Sequence, residues 1–404
     1  MINVCQPAIP KYQMKGLQSH RKRIETWITA IEPDLMVCMY DDWKDEFWKL
    51  FEIAHASKLF ENSNHTISMI STAMVYIVSV LGKGSLAISD VAALCGIRKK
   101  HVTDVNKCLH AFLRFNLDEV EQISWKDVTS LGEDIVQYGN ARIIPVDLKL
   151  YPDEKFILKG VPHDDGFTEH GVIVEIVTAI KLRKRFGREQ RISHLVNFFT
   201  TSNNTWLLFK LIPFDSETFS TSFLRRSIDV KTAFNQICTT ISQMHNEGVA
   251  HRDIKMHNIM INKDGDFIVI DFGLSSTSCS RNRQTFPVCT VTTRPPEYLK
   301  MCDNDQSQQQ ITFDSFKTDI WSLGCVLSAL SDREGKYIIQ GHSEDEIRVS
   351  MNNLFSKSPQ YRITPFQDNL LGKDGQELLW SMLRKDPSQR PSIEQVLQHK
   401  FFLD

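Results

Sequence analysis

Two aspartates stand eighteen positions apart in this chain, Asp253 within HRDIKMHNIMI (251–261) and Asp271 at the head of DFG (271–273). Between them lies Asn262-Lys263-Asp264-Gly265-Asp266, followed by the apolar, β-branched run Phe267-Ile268-Val269-Ile270. A turn-forming cluster beside such a run predicts a short β-hairpin. The second strand then delivers Asp271 at its end, with Asp253, Lys255 and Asn258 just ahead of the first. Either tripeptide alone is a weak signal, because charged tripeptides mostly mark loops. HRDxKxxN, hairpin and DFG in one order are specific.

This spacing suits phosphoryl transfer from Mg-ATP, which needs placement of charge more than covalent steps. One carboxylate must orient the attacking hydroxyl and take its proton, and Asp253 fits. A second carboxylate and an amide oxygen must hold Mg²⁺ against the phosphates, and Asp271 and Asn258 fit. ATP and Mg²⁺ are the expected cofactors.

At 404 residues the chain has room for two or three domains. A formal charge of −2 gives no global pull toward nucleic acid or membranes. Nine cysteines without CxxC pairs or His-linked spacing predict free thiols in a reducing compartment, with neither a disulfide frame nor a zinc site. No apolar run reaches the roughly eighteen residues of a membrane span, and no signal-peptide profile opens the chain. A soluble intracellular protein of nucleus or cytoplasm is therefore expected, with no membrane partner. The basic clusters at 21–23 and 181–185 read as solvated helix faces, with nuclear import as the alternative.

Residues 17–117 carry apolar positions at three and four spacing and almost no strand signal. Helices are expected over 21–31, 45–60, 67–81, 89–95 with Ser89 as N-cap, and 99–115. The third, ISMISTAMVYIVSVL, is apolar nearly all round and predicts the buried centre of a small bundle. A short acidic segment at 116–122 marks a boundary, giving a helical domain at 1–117, a linker at 118–124 and a second domain at 125–404. The expected fold class is multidomain: an all-α five-helix bundle, then a bilobal α+β domain with a cleft between its lobes. Its small β-rich N-lobe covers about 125–212 and includes a helix at 171–185; its larger helical C-lobe covers about 213–404.

With these strings in place, residues 125–402 resemble a eukaryotic-type Ser/Thr protein kinase. RPPEYL (294–299) stands where kinases have Ala-Pro-Glu, and TDIWSLGC (318–325) is similar to the helix that follows. DPSQRP (386–391) supplies Arg390, which in the family pairs with the glutamate of that motif, here Glu297. DIWSLGCVLSAL, QGHSEDEI and VEIVTAIKL (174–182) are closest to the cyclin-dependent branch. The resemblance implies that Glu175 belongs to a mobile helix and that Lys159, in EKFILKG (154–160), is its strand partner and contacts the α and β phosphates.

It also implies that TWLLFKLIPFD (205–215) leads into the hinge between lobes. Phe209 would back the adenine pocket, Lys210, Leu211 and Ile212 would offer backbone hydrogen bonds, Asp215 would sit near the ribose, and Met260 would floor the ring. Lys255, two places after Asp253, is the Ser/Thr form, so a protein substrate phosphorylated on Ser or Thr is implied. Counting back from Glu297, Thr290 is the hydroxyl that bonds the catalytic Asp and Lys, and Thr285 is the regulatory phosphosite. Val288, Cys289 and Arg294 fall where proline-directed kinases read the residue after the target.

The pattern also departs from the family. LGEDIVQYGNAR (131–142) keeps Gly132 of the glycine-rich loop but has Asp134 and Gln137 at the other two glycine positions. Side chains there hinder backbone approach to phosphate, unless Gly139 re-registers the loop. The arginine before Glu175 is replaced by Val174, and another after DFG by Ser276, leaving Arg252 to grip a phosphorylated Thr285. A pseudokinase scaffold is accordingly the alternative to an active enzyme.

Ahead of this region, HRKRIETWI (20–28), FEIAHASKLF (51–60) and ISTAMVYIVSVLGKG (70–84) resemble successive helices of a cyclin box, or of the similar repeat in transcription factor IIB. AISDVAALCGIRKKHVTDV (87–105) is close in form to a helix-turn-helix beside Arg98, Lys99 and Lys100; a tight helix corner without DNA is the favoured reading. The lysine and glutamate by which cyclins grip their kinase are Val80 and Asn106 here. The resemblance implies a built-in activator packed on the helix at 171–185 of the N-lobe. An external cyclin, or a recruitment role toward protein or DNA, stays open.

Overall fold

A computed structural model describes residues 24–25, 28–29, 43–56, 67–81, 88–95, 97–98, 101–115, 123–131, 136–138, 141–162, 166–186, 191–201, 203–215, 229–276, 290–303, 314–356 and 365–403. Gly132, Asp134, Gly139, Thr285, Val288, Cys289 and the linker as far as 122 lie outside them, as do the side chains of Val80, Asn106 and Asp215. The chain divides into two compact units, residues 1–188 with 194–211 and residues 189–193 with 212–404.

The first unit begins with helices α1 (Trp43–Ala56), α2 (Ile67–Leu81), α3 (Ile88–Leu94) and α4 (Val102–Phe115). In α1, Trp43, Phe47, Leu50 and Phe51 are buried at the spacing of one helix face, which carries the start of the helix two residues ahead of expectation. α2 matches its expected span, and every residue from Ile70 to Val78 is buried, because α1, α3 and α4 all pack on it. α3 starts at Ile88, so Ser89 lies inside the first turn; the expectation of Ser89 as N-cap is corrected. Asp90 in that turn complements the partial positive charge of the helix N-terminus.

Next come strands β1 (Val128–Leu131), β2 (Val136–Tyr138), β3 (Ala141–Leu148) and β4 (Tyr151–Pro162), helix α5 (Gly166–Phe186), and strands β5 (Leu195–Thr200) and β6 (Asn204–Lys210). The sheet is antiparallel in the order β1-β3-β4-β6-β5, with β2 also on β3. Side chains alternate across it with period two. Ile144, Val146, Phe156, Leu158 and Leu208 form a core on one face together with Ile123, whose carbonyl accepts a 2.7 Å bond from Asn197 Nδ2.

Leu195, Phe198, Leu207 and Phe209 join a second core with α5. That core continues without a break into the helices ahead of it. Val172, Ile173, Val174, Ile176, Val177, Ala179 and Ile180 of α5 belong to one buried cluster with Ile24, Ile28, Phe47, Met74, Ile77 and Leu109. Full burial of each large aliphatic side chain contributes about 1.5–3 kcal/mol relative to exposure, so α5 is held by helices and sheet together.

The second unit holds β7 (Phe214–Asp215), α6 (Val230–Asn246), β8 (Ile259–Ile261), β9 (Phe267–Val269), α7 (Pro296–Asp303), α8 (Ser315–Ser331), α9 (Glu344–Ser356), α10 (Pro365–Met382) and α11 (Ile393–Leu397). α8 is buried almost along its whole length and packs on α6 and α10. The expected hairpin is present: β8 pairs with β9, Ile259 opposite Val269 and Ile261 opposite Phe267. Asn262 Oδ1 accepts the N–H groups of Asp264 and Asp266, and Gly265 takes φ 86°, a left-handed conformation that glycine adopts without a Cβ clash. Among the described residues no helix is long and apolar enough to cross a membrane.

Gly160 in β4 lies directly opposite Trp206 in β6, and a Cβ at Gly160 would overlap the indole ring. Trp125, edge-on to Phe199 at 5.5 Å, packs at 6.1 Å from the same indole. Gly160→Ala is expected to cost about 1–3 kcal/mol through overpacking. Urea unfolding would show this as a lower midpoint with an unchanged slope, and adding Trp206→Leu would recover most of the loss.

Candidate active site

In the second unit, a turn of 3₁₀ helix at Met256–Asn258 carries the chain from the HRD string into β8. Asp253 and Asn258 are each 5 % exposed. Asn258 donates its amide nitrogen to the backbone oxygen and to Oδ2 of Asp253, at 2.8 and 2.9 Å. Lys255 Nζ lies 2.9 Å from the same Oδ2. Thr290 donates its N–H and its hydroxyl to Asp253 Oδ1, at 3.0 and 2.7 Å, while its hydroxyl accepts from Lys255 Nζ at 2.7 Å. The structure thus brings Asp253, Lys255, Asn258 and Thr290 together around one carboxyl group, which the surrounding donors orient.

Asp271 follows β9 by two residues, and the N–H of Ile270 donates to the Asn258 carbonyl at 3.0 Å. Asp271 has φ 63° and Arg252 has φ 68°, the two left-handed residues other than glycine among those described. Such a backbone costs of order 1–3 kcal/mol and persists only where its surroundings enforce it. Here they do. Asp319, fully buried near the start of α8, accepts the N–H of His251 at 2.8 Å, the N–H of Arg252 at 2.7 Å and a bond with His245 Nε2 at 2.9 Å. His251 Nδ1 accepts the Asp253 N–H at 3.2 Å, so its Nε2 carries the proton donated to the Ile270 carbonyl at 3.0 Å. One imidazole therefore ties the HRD string to the strand that ends in DFG. Neither Asp319 nor His251 was singled out from sequence. An acid in the first turns of an otherwise apolar helix was the available signal for Asp319, since a buried carboxylate needs donors.

Asn258 uses its amide nitrogen on Asp253, which leaves its oxygen for a cation, and Asp271 adds a carboxylate. Among the described residues no group of three or more His, Cys, Asp or Glu converges into an all-protein metal cage. One carboxylate and one amide oxygen completed by phosphates is a donor set that Mg²⁺ takes, so the residues fit that ion. Burial and the Asp104 carboxylate push the Cys108 thiol up to about 12, and burial holds Cys238 well above the ordinary thiol range, so these two are not nucleophiles at neutral pH.

In the first unit, Lys159 on β4 donates to both carboxylate oxygens of Glu175 on α5, at 2.9 and 3.2 Å. Glu175 is 2 % exposed. Phe209 is buried on β6 opposite Ile157 and Leu195. Leu211 donates its N–H to the Lys155 carbonyl at 2.9 Å, and Lys210 donates to that of His194. The sheet thus extends to the Leu211 N–H. In the second unit, Met260 is partly exposed on β8, opposite Ile268 and the backbone of Asp215.

Arg390 and Glu297 meet as expected, in two bonds of 2.8 and 2.6 Å. The guanidinium is buried, donates also to the carbonyls of Arg384 and Lys317, and lies 5.0 Å from the Trp321 ring. Arg294 pairs with Glu344 at the start of α9, while Val288 and Cys289 of the expected specificity pocket lie outside the described residues. Val174 is buried in the core that α5 shares with the helices, and Ser276 is held by reciprocal 2.9 Å backbone bonds to Ala250. Glu297→Ala is expected to cost about 3–5 kcal/mol, because Arg390 would keep a buried charge without its partner. Thermal unfolding measures this, and Glu297→Gln should lose less.

A family profile described as the protein kinase domain matches residues 152–402, more than half of the chain. The serine/threonine-protein kinase ppk16 of Schizosaccharomyces pombe is 30% identical over 234 residues, 55% of this chain and 32% of that protein. The human serine/threonine-protein kinase 16 is 32% identical over 171 residues, 40% of this chain and 51% of that protein. The probable serine/threonine-protein kinase glkA of Dictyostelium discoideum is 27% identical over 233 residues, 51% of this chain and 46% of that protein. The matched stretch thus spans about a third to a half of the length of these relatives.

Proposed function

Because the chain belongs to the protein kinase family, we propose that it is an ATP-dependent serine/threonine protein kinase whose N-terminal helices act as a built-in, cyclin-like activator. The observation that carries the catalytic part is the single carboxylate of Asp253, held at once by Lys255, Asn258 and Thr290. Asp253 orients the substrate hydroxyl and takes its proton as the oxygen attacks the γ-phosphorus and ADP departs. Lys255 offers positive charge to the transferred group, and Thr290 keeps that lysine in reach of Asp253. Asn258 and Asp271 would hold Mg²⁺, which when bound offsets the negative charge of the phosphates. Lys159 contacts the α and β phosphates, and its ion pair with Glu175 keeps the ammonium from swinging away.

The activator reading rests on α5. This helix carries Glu175, and its apolar side chains share one core with α1, α2 and α4. Any shift of those helices changes the packing of α5 and hence the reach of Glu175 toward Lys159. The proline preference of cyclin-dependent kinases has less support, since Arg294 is engaged by Glu344. Thr285 stands in this proposal as an accessory phosphosite, because Val174 and Ser276 remove two of the arginines that would grip it.

Phosphate transfer from Mg-ATP to a mixed peptide library should yield phosphoserine and phosphothreonine. Asp253→Asn should lower kcat by about 10³-fold or more, and an unchanged background in that variant would leave a scaffold. Phe47→Ala tests the activator. This truncation lies within α1 and should destabilise the chain by about 3–5 kcal/mol. At a temperature where circular dichroism still shows a folded chain, kcat is expected to fall several-fold; an unchanged kcat would discard the coupling.

A further inference from the structure

The first N–H of a helical turn has no acceptor within the turn and, if buried, must find one elsewhere. Met256 opens the 3₁₀ turn that ends at Asn258, it is 1 % exposed, and the preceding Lys255 gives no side-chain cap. The Met256 N–H is satisfied from far along the chain: it donates to the Tyr337 hydroxyl at 2.7 Å.

Tyr337 is itself held from both sides. Asp332 Oδ1 accepts the N–H groups of Glu334 and Lys336, closing the turn before it. Ser328 Oγ accepts the N–H of Ile338 at 3.0 Å, and the fully buried Ile339 follows. Gln340 Nε2 donates to the Tyr337 carbonyl at 3.3 Å. Ser328 belongs to α8, the same helix whose Asp319 holds His251 and Arg252.

We propose that Tyr337 is a positioning residue for phosphoryl transfer: its hydroxyl caps the catalytic turn at Met256 and thereby fixes the placement of Asn258 against Asp253. α8 then anchors the catalytic string at two points, by Asp319 before Asp253 and through Tyr337 after it. The assignment rests on the kinase reading above, since positioning has meaning only if Asp253 and Asn258 act.

The backbone supplies a matched control. Lys255 is extended, with φ −157° and ψ 164°, the kind of conformation favoured before proline, and proline is well accepted at the first position of a helical turn. Met256→Pro therefore removes the donor and with it the need for the hydroxyl. In the full chain, Tyr337→Phe should lower kcat about five- to tenfold with less than twofold change in KM for ATP or peptide. In the Met256→Pro background the same substitution should change kcat by less than twofold. Equal losses in both backgrounds would overturn the proposal. Amide exchange in residues 254–259, followed by mass spectrometry, gives a readout that needs no activity and no second variant. Tyr337→Phe should speed it about tenfold, and unchanged exchange would also overturn the proposal. A wild-type chain without phosphotransfer but with this exchange response would defeat the kinase reading and leave the cap itself in place.

Discussion

The second unit depends on one buried carboxylate. Asp319 has no exposure to water, which would be costly for a charged group without partners, and its partners are the backbone of His251 and Arg252 and the ring of His245. Two of its bonds fall on the residues immediately before Asp253. Strong charge-assisted bonds at that point hold Arg252 in a conformation that a free chain would leave. α8 is well suited to carry such an anchor because burial along its length leaves it little freedom to move. The rigid part of the fold is thus joined directly to the part that needs accurate placement.

In the first unit the corresponding constraint is apolar. α5 has hydrophobic residues around most of its circumference, and a helix with that pattern needs partners on more than one side. The sheet supplies one side through Leu195, Phe198, Leu207 and Phe209, and the N-terminal helices supply another. Glu175 is a buried charge on this helix, and Lys159 on β4 answers it. Val174, the residue before Glu175, is part of the apolar core, so charge and packing alternate along the helix within one step.

Local patterns in the sequence revealed the hairpin, the Asp253, Lys255, Asn258 and Thr290 group, the Lys159–Glu175 pair and the span of α2. In each case the information lies within a few residues, or in a motif whose parts keep fixed spacing. What stayed hidden was long-range. Asp319 reaches back 67 and 68 residues to Arg252 and His251, and Tyr337 reaches back 81 to Met256. Nothing in their own neighbourhoods announces those partners. The bond from the Leu211 N–H to the Lys155 carbonyl is hidden for a related reason, since it follows from the register of β4 against β6. Ser89 failed as a cap because the boundary of α3 moved by one residue, a distance at which local signals do not discriminate.

The two left-handed residues connect these themes. Aspartate tolerates this region better than most side chains, while arginine has no such advantage. Asp271 needs modest support, and the bonds of Ile270 to Asn258 and His251 supply it from the residue before. Arg252 needs more, and it receives a direct bond from the fully buried Asp319. If local strain of about 1–3 kcal/mol sits at each position, the surrounding bonds must hold more than that for the conformation to persist. Their number and burial around Arg252 are consistent with that demand. The strain then has a use: it turns the chain sharply on either side of the hairpin, so that Asp253 and Asp271 come from backbone that cannot relax into an extended strand.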